Sequence, residues 1–145
     1  MLTRRAEKSD EEALARIRRS AILELTAPVA SAEEARQWAD RPGPERIAAA
    51  IQAHEVWIAT EGDEPIGWIE IDDDRVAGLY VSPPFARTGV GSHLLRFAEE
   101  AIRRAGHASS RLEASENALG FYLRRGYVHD GARLGDGSYP LKKNL

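Results

Sequence analysis

The chain has 145 residues, of which 43% are hydrophobic and 30% charged. That mixture predicts one folded domain over residues 1–145 rather than disorder. Twenty basic residues against 23 acidic leave a formal charge of −3, so there is no basic footprint for nucleic acid or an anionic membrane. With no cysteine, disulfides, thiolate metal sites and a cysteine nucleophile are excluded. No apolar run approaches the roughly 20 residues of a membrane span. The opening MLTRRAEKSDEE has no apolar stretch behind its basic residues, so a cytoplasmic location is the expectation.

Leu2–Ala6 reads as a short strand. Ser9 and Glu12 form an S-x-x-E capping box, and Leu14, Ile17, Ala21 and Leu25 recur at helical spacing behind it. The pattern predicts a helix over 10–24, broken by Thr26-Ala27-Pro28. Ser31 and Glu34 repeat the box and predict a short helix to Asp40. Pro42-Gly43 turns the chain, and Pro44 suits the first position of a third helix ending near Ala53. Three strands follow, Val56–Ala59, Ile66–Ile71 and Val76–Val81, separated by the turns 61–65 and Asp72–Asp74. Links this short imply an antiparallel meander, because parallel crossovers need about a dozen residues or more.

After Pro83-Pro84 a glycine-containing segment, 86–91, leads directly into a long helix. Its apolar face is Val90, Leu94, Ala98, Ala101, Ile102 and Ala105. Glu99–Arg103 and Glu100–Arg104 read as i,i+4 pairs on its wet face, and Gly106 as its cap. Arg111–Ala114 is a strand whose return through that helix makes a parallel, right-handed β-α-β unit. Asn117–Arg125 is a helix closed by Gly126. Tyr127–His129 and Ser138–Leu141 are the remaining strands. The fold class is α+β: a mixed sheet of six or seven strands, antiparallel at the front, with one parallel crossover.

The strand-to-helix segment Leu79–Ser92 carries chemistry. Amides at a helix start are unpaired, and the helix dipole adds about half a positive charge there, which suits phosphate. Gly89 and Gly91 admit close backbone approach, and Arg87 adds charge. Alone, G-x-G is a weak signal, and a plain strand-to-helix turn is the better reading of it. A Walker loop needs G-x-x-x-x-G-K-[ST], which is absent. A dinucleotide fingerprint needs a third glycine where Leu94 stands, and several βαβ units where this chain offers one.

A second segment, Leu112–Tyr127, contains Asn117-Ala118-Leu119-Gly120-Phe121-Tyr122-Leu123-Arg124-Arg125-Gly126-Tyr127. Together with Val81-x-Pro83 and the loop ending Gly89-Val90-Gly91, it resembles the GNAT superfamily of N-acetyltransferases. The likeness is close over 66–128, and the order of earlier elements agrees. The resemblance implies acetyl-CoA as co-substrate, no metal, and direct transfer to a small-molecule or peptide amine. It implies that Ala86, Arg87, Thr88, Gly89, Val90, Gly91 and Ser92 wrap the pyrophosphate. The backbone of Leu79, Tyr80 and Val81 would pair with the pantetheine arm, much as an added strand does. Asn117 would bond the pantetheine region. Tyr122 would act as general acid to the departing thiolate, and a backbone N–H of the 76–81 strand would polarise the carbonyl. A homodimer through sheet edges is the family's expectation.

Two positions depart from the pattern. Ala86 stands where the loop's Arg or Gln belongs, with the arginine one place later at Arg87. Arg75 stands where some members carry a base glutamate. The candidates for the base are therefore Glu70, His54 or a water chain, with Glu70 also readable as a solvent-facing residue beside Trp68. The same departures support an alternative, a non-catalytic acyl-CoA-binding sensor. The four histidines show no metal spacing and read as surface or structural. Trp38, Trp57, Trp68 and Phe121 read as core or rim, and Lys142-Lys143 as a solvated end.

Overall fold

The computed structural model describes residues 1–26 and 44–145. Its elements are β1 (Leu2–Arg5), a 3₁₀ turn (Lys8–Asp10), α1 (Glu11–Thr26), α2 (Pro44–Ala53), β2 (Glu55–Glu61), β3 (Glu64–Asp72) and β4 (Arg75–Val81). A second 3₁₀ turn (Pro83–Phe85), α3 (Val90–Arg104), β5 (Ser109–Ala114), α4 (Glu116–Leu123), β6 (Val128–His129) and β7 (Tyr139–Asn144) follow. The helix expected over 31–40, and Trp38 with it, lie outside the described residues. Among the described residues, seven strands make one sheet in the order β1-β2-β3-β4-β5-β7-β6. Every pairing is antiparallel except β4 with β5. The expected mixed sheet, with its meander and single parallel crossover, is the one the chain adopts.

Both meander turns are two residues long, since Glu61 pairs with Glu64 and Asp72 with Arg75. Asp73 takes a left-handed conformation at φ 61, which a short polar side chain tolerates. Each face of the sheet carries its own core. On one, α3 lays Leu94, Leu95, Ala98 and Ile102 against Ile66, Ile69, Ile71 and Val76. On the other, Leu14 and Ile17 of α1 and Ile47 and Ala50 of α2 cover Val56, Ile58 and Trp68. The Trp68 indole N–H donates to the Leu14 carbonyl at 3.1 Å, so its one polar atom is satisfied inside the core. Gly67 lets α3 descend onto β3: a Cβ there would lie 3.1 Å from both the Tyr80 carbonyl and a Val90 methyl.

Several local expectations are corrected. The cap ahead of α1 uses Glu7 and Asp10, not Ser9 and Glu12. The Asp10 carboxylate accepts the Glu7 amide at 2.8 Å and a fork from Arg4 at 2.8 and 2.9 Å. An aspartate already gripped by an arginine outcompetes a serine hydroxyl for the turn. Glu99 is buried and accepts from Lys143 at 3.2 Å, so Lys143 is no free end. Glu100 alone holds both Arg103 and Arg104. The buried stripe of α3 runs through Leu95, Ala98, Glu99 and Ile102, which leaves Ala105 exposed. Tyr127 precedes β6 instead of starting it, and its hydroxyl donates to Ser110 at 2.9 Å.

Candidate active site

β4 and β5 pair at only two positions, Arg75 with Arg111 and Val76 with Leu112. Just beyond them β4 carries a bulge. Glu70 faces Gly78 whereas Ile71 faces Val76, so Ala77 is an extra residue. From Gly78 to Val81, β4 is held by β3 on one side, and no described strand pairs with its other side. A row of backbone donors and acceptors therefore faces the gap between two parallel strands. Such a row is a template for an extended, amide-bearing ligand. Leu79 and Val81 pack toward α3, and Tyr80 packs on the opposite face against Trp68, ring centroids 5.0 Å apart.

The open row ends at the start of α3. Pro83–Phe85 make a 3₁₀ turn, and the Thr88 hydroxyl donates to the Phe85 carbonyl at 2.5 Å. Arg87 then adopts φ 63 and Gly89, at the helix N-cap, φ 92. A left-handed arginine is uncommon and costs strain that only its surroundings can hold, and no local sequence signal marks it. The Arg87 side chain is exposed. The helix opens with the amides of Val90, Gly91 and Ser92, which have no carbonyl one turn back inside the helix. A Cβ on Gly91 would meet the Phe121 ring at 3.3 Å, so this glycine also seats α4 against α3.

Arg125 completes the first turn of α3 and was not singled out in the sequence. Its Nε donates to Ser92 Oγ and its Nη1 to the Phe121 carbonyl, both at 2.8 Å. Its guanidinium lies 3.7 Å from the Phe121 ring centroid. The available signal was spacing: Arg125 follows Phe121 by four residues, in the turn that closes α4, which brings its guanidinium back over that ring. Asn117 stands exposed on the first turn of α4, next to the end of β5. Tyr122 is 8% exposed and packs edge-on to Phe121 and Tyr127, centroids 5.1 and 5.7 Å away. Burial, with the Tyr80 phenol adding, pushes its hydroxyl above the usual phenol range. The group stays protonated and keeps its proton to give.

Glu70 does not face solvent. It is 1% exposed and lies on the α1/α2 side of the sheet, directly across from Gly78. Its Oε2 is 2.6 Å from His54 Nδ1, and its Oε1 is 3.4 Å from the Arg46 guanidinium. The second ring nitrogen of His54 lies 3.6 Å from Asp72. Two residues that the sequence offered as rival bases are thus one hydrogen-bonded pair. Arg75 is committed elsewhere, to Glu113 at 3.3 Å and Asp72 at 3.5 Å. Among the described residues, no group of three or more acidic or histidine side chains is placed to hold a metal ion.

The profile of the acetyltransferase (GNAT) domain matches residues 26–137. The peptidyl-lysine N-acetyltransferase YjaB of Salmonella typhimurium (strain LT2) is 30% identical over 91 residues, which are 59% of this chain and 61% of that protein. The chain thus spans about three fifths of the length of that curated relative. A GCN5-related N-acetyltransferase from Rhodopseudomonas palustris superposes over 99% of this chain and 95% of its own, with TM-score 0.90 and 26% identity. The PaiA N-acetyltransferase from Thermoplasma acidophilum, solved in complex with coenzyme A, shares the fold at TM-score 0.87 and 22% identity, over 99% of this chain and 98% of its own.

Proposed function

The chain belongs to the acetyltransferase (GNAT) domain family, and on that premise we propose that it transfers an acetyl group from acetyl-CoA to a primary amine within a ternary complex. The observation that carries the reading is the open backbone row Gly78–Val81 running into the unpaired amides of α3. Its chemistry fits the cofactor end to end. Pantetheine amides pair with Leu79, Tyr80 and Val81, with Asn117 reaching the same arm. The phosphates meet the backbone of Ala86–Gly91 and the first turn at Ser92, where Arg87 and Arg125 add charge.

At the head of the gap, a β4 amide polarises the thioester carbonyl as charge develops on its oxygen. Tyr122, kept neutral by burial, protonates the departing sulfur. The amine arrives from the α1/α2 side and loses its proton at the Glu70 cluster. Lysine side chains are the first acceptors to examine, because the relative YjaB is a peptidyl-lysine N-acetyltransferase. The test is a screen of a lysine-bearing peptide, a free peptide N-terminus, spermidine and an aminoglycoside with acetyl-CoA, reading free thiol. Turnover with at least one is expected. Tight acetyl-CoA binding with no turnover on any amine would make the protein an acyl-CoA sensor instead.

A further inference from the structure

Resting on that reading, we propose that His54 is the catalytic base of the transfer and that Glu70 is its positioning residue. The Glu70 carboxylate is almost wholly buried, and both its oxygens already face donors, Arg46 and His54. A base must meet an incoming amine and return its proton to water in every cycle. A sealed carboxylate with both oxygens engaged meets neither demand. The imidazole does, because its side chain is 32% exposed.

The geometry also assigns the ring's tautomer. A carboxylate oxygen 2.6 Å from Nδ1 requires a proton on that nitrogen, which leaves the lone pair on Nε2. Nε2 lies 3.6 Å from Asp72 Oδ1, beyond hydrogen-bond reach but within ion-pair range. When Nε2 takes a proton, the new cation sits between two carboxylates. The backbone holds the ring in place: the His54 amide donates to the Ala50 carbonyl at 2.8 Å, closing the last turn of α2. Among the described residues, the charged groups within reach of this ring or its carboxylate partner are Arg46 from α2 and Glu70 and Asp72 from β3. Arg75 of β4 bears on it through Asp72.

The protons balance. An ammonium N–H bond breaks and an Nε2–H bond forms; the freed lone pair attacks the thioester carbon, and the C–S bond breaks. His54 passes its proton to water. The second proton lost from nitrogen replaces the one that Tyr122 gives to sulfur, so the products are the amide, CoA thiol and one proton in solution.

Two measurements test this. Long-range ¹⁵N–¹H spectra of the neutral ring should show the Nδ1–H form in the wild-type protein; an Nε2–H ring overturns the assignment whatever the enzyme acetylates. With a lysine-bearing peptide as acceptor, His54→Gln should lower kcat by about 10²-fold or more, leave the acetyl-CoA dissociation constant unchanged, and abolish the acid-side limb of the pH–rate profile. Glu70→Gln should lower kcat while keeping that limb, because the base itself remains. Wild-type rate and profile in His54→Gln, or loss of the limb in Glu70→Gln alone, overturns the proposal. A wild-type protein that acetylates no amine fails the functional reading above, and the ring spectrum then judges the tautomer independently.

Discussion

At the scale of single residues the clearest test is the Tyr122 hydroxyl. Its proposed bond to the departing sulfur would strengthen only as negative charge develops, so removing it should reduce turnover and spare ground-state binding. Tyr122→Phe keeps the ring contacts with Phe121 and Tyr127. We expect kcat to fall by about 10²–10⁴-fold, with the acetyl-CoA dissociation constant unchanged in calorimetry. Tyr127 tests the opposite case, a buried phenol with a structural task. Burial raises its ionisation above the usual phenol range. Its neutral form therefore contributes stability that is complete below the unfolded value of about 10 and is lost as pH rises beyond it. Melting temperature followed from pH 8 to 11 should fall less steeply in Tyr127→Phe than in the wild type, from a lower starting point once Ser110 loses its partner.

At the scale of elements, each helix start does a different job. The start of α1 is secured by Asp10, whose bond to the Arg4 guanidinium holds its carboxyl below the usual carboxylate range. That contribution is present above the unfolded value of about 3.9 and disappears as pH falls through the folded one. Asp10→Ala should cost about 0.5–2 kcal/mol, read as a shift in the urea midpoint at pH 7 that shrinks toward pH 3. The start of α3 has no side-chain cap, and the proposed function gives its open amides to phosphate. Gly91→Val drives a side chain into Phe121 and across the proposed phosphate path, and should abolish measurable acetyl-CoA binding in calorimetry. Arg125→Ala removes the ties to Ser92 and Phe121 and should weaken binding severalfold without unfolding the protein. The loop and both motifs were legible in the sequence because glycine spacing and an Asn–Tyr motif are local signals. Arg125 and the Glu70–His54 pair were not, since each contact depends on how separate elements pack. The wet-face reading of Glu99 failed for the same reason: only the placement of β7 shows that Lys143 reaches it.

For the whole molecule, the meander and the parallel crossover were legible, and the placement of the terminal strands and the seam were not. Turn lengths and one helical crossover suffice for the meander β2–β4 and its parallel return to β5, but not for the places of β1, β6 and β7; the two-pair ladder between β4 and β5 follows from the bulge at Ala77. A ligand that binds only the folded chain stabilises it by mass action, about 2.7 kcal/mol at a hundredfold excess over its dissociation constant. Acetyl-CoA at that excess should raise the melting temperature by several degrees, and Gly91→Val should not respond. The same seam has a mechanical meaning. The N-terminal strand β1 lies at one margin of the sheet and the C-terminal strand β7 beyond the seam, so tension applied to the two ends must cross it. The ladders on that path carry four pairs or more except this one, which carries two. Under an optical trap the sheet should tear first between β4 and β5. A CoA molecule bridging the two strands should act as a rivet, raising the rupture force while leaving the later unravelling of β1–β4 unchanged.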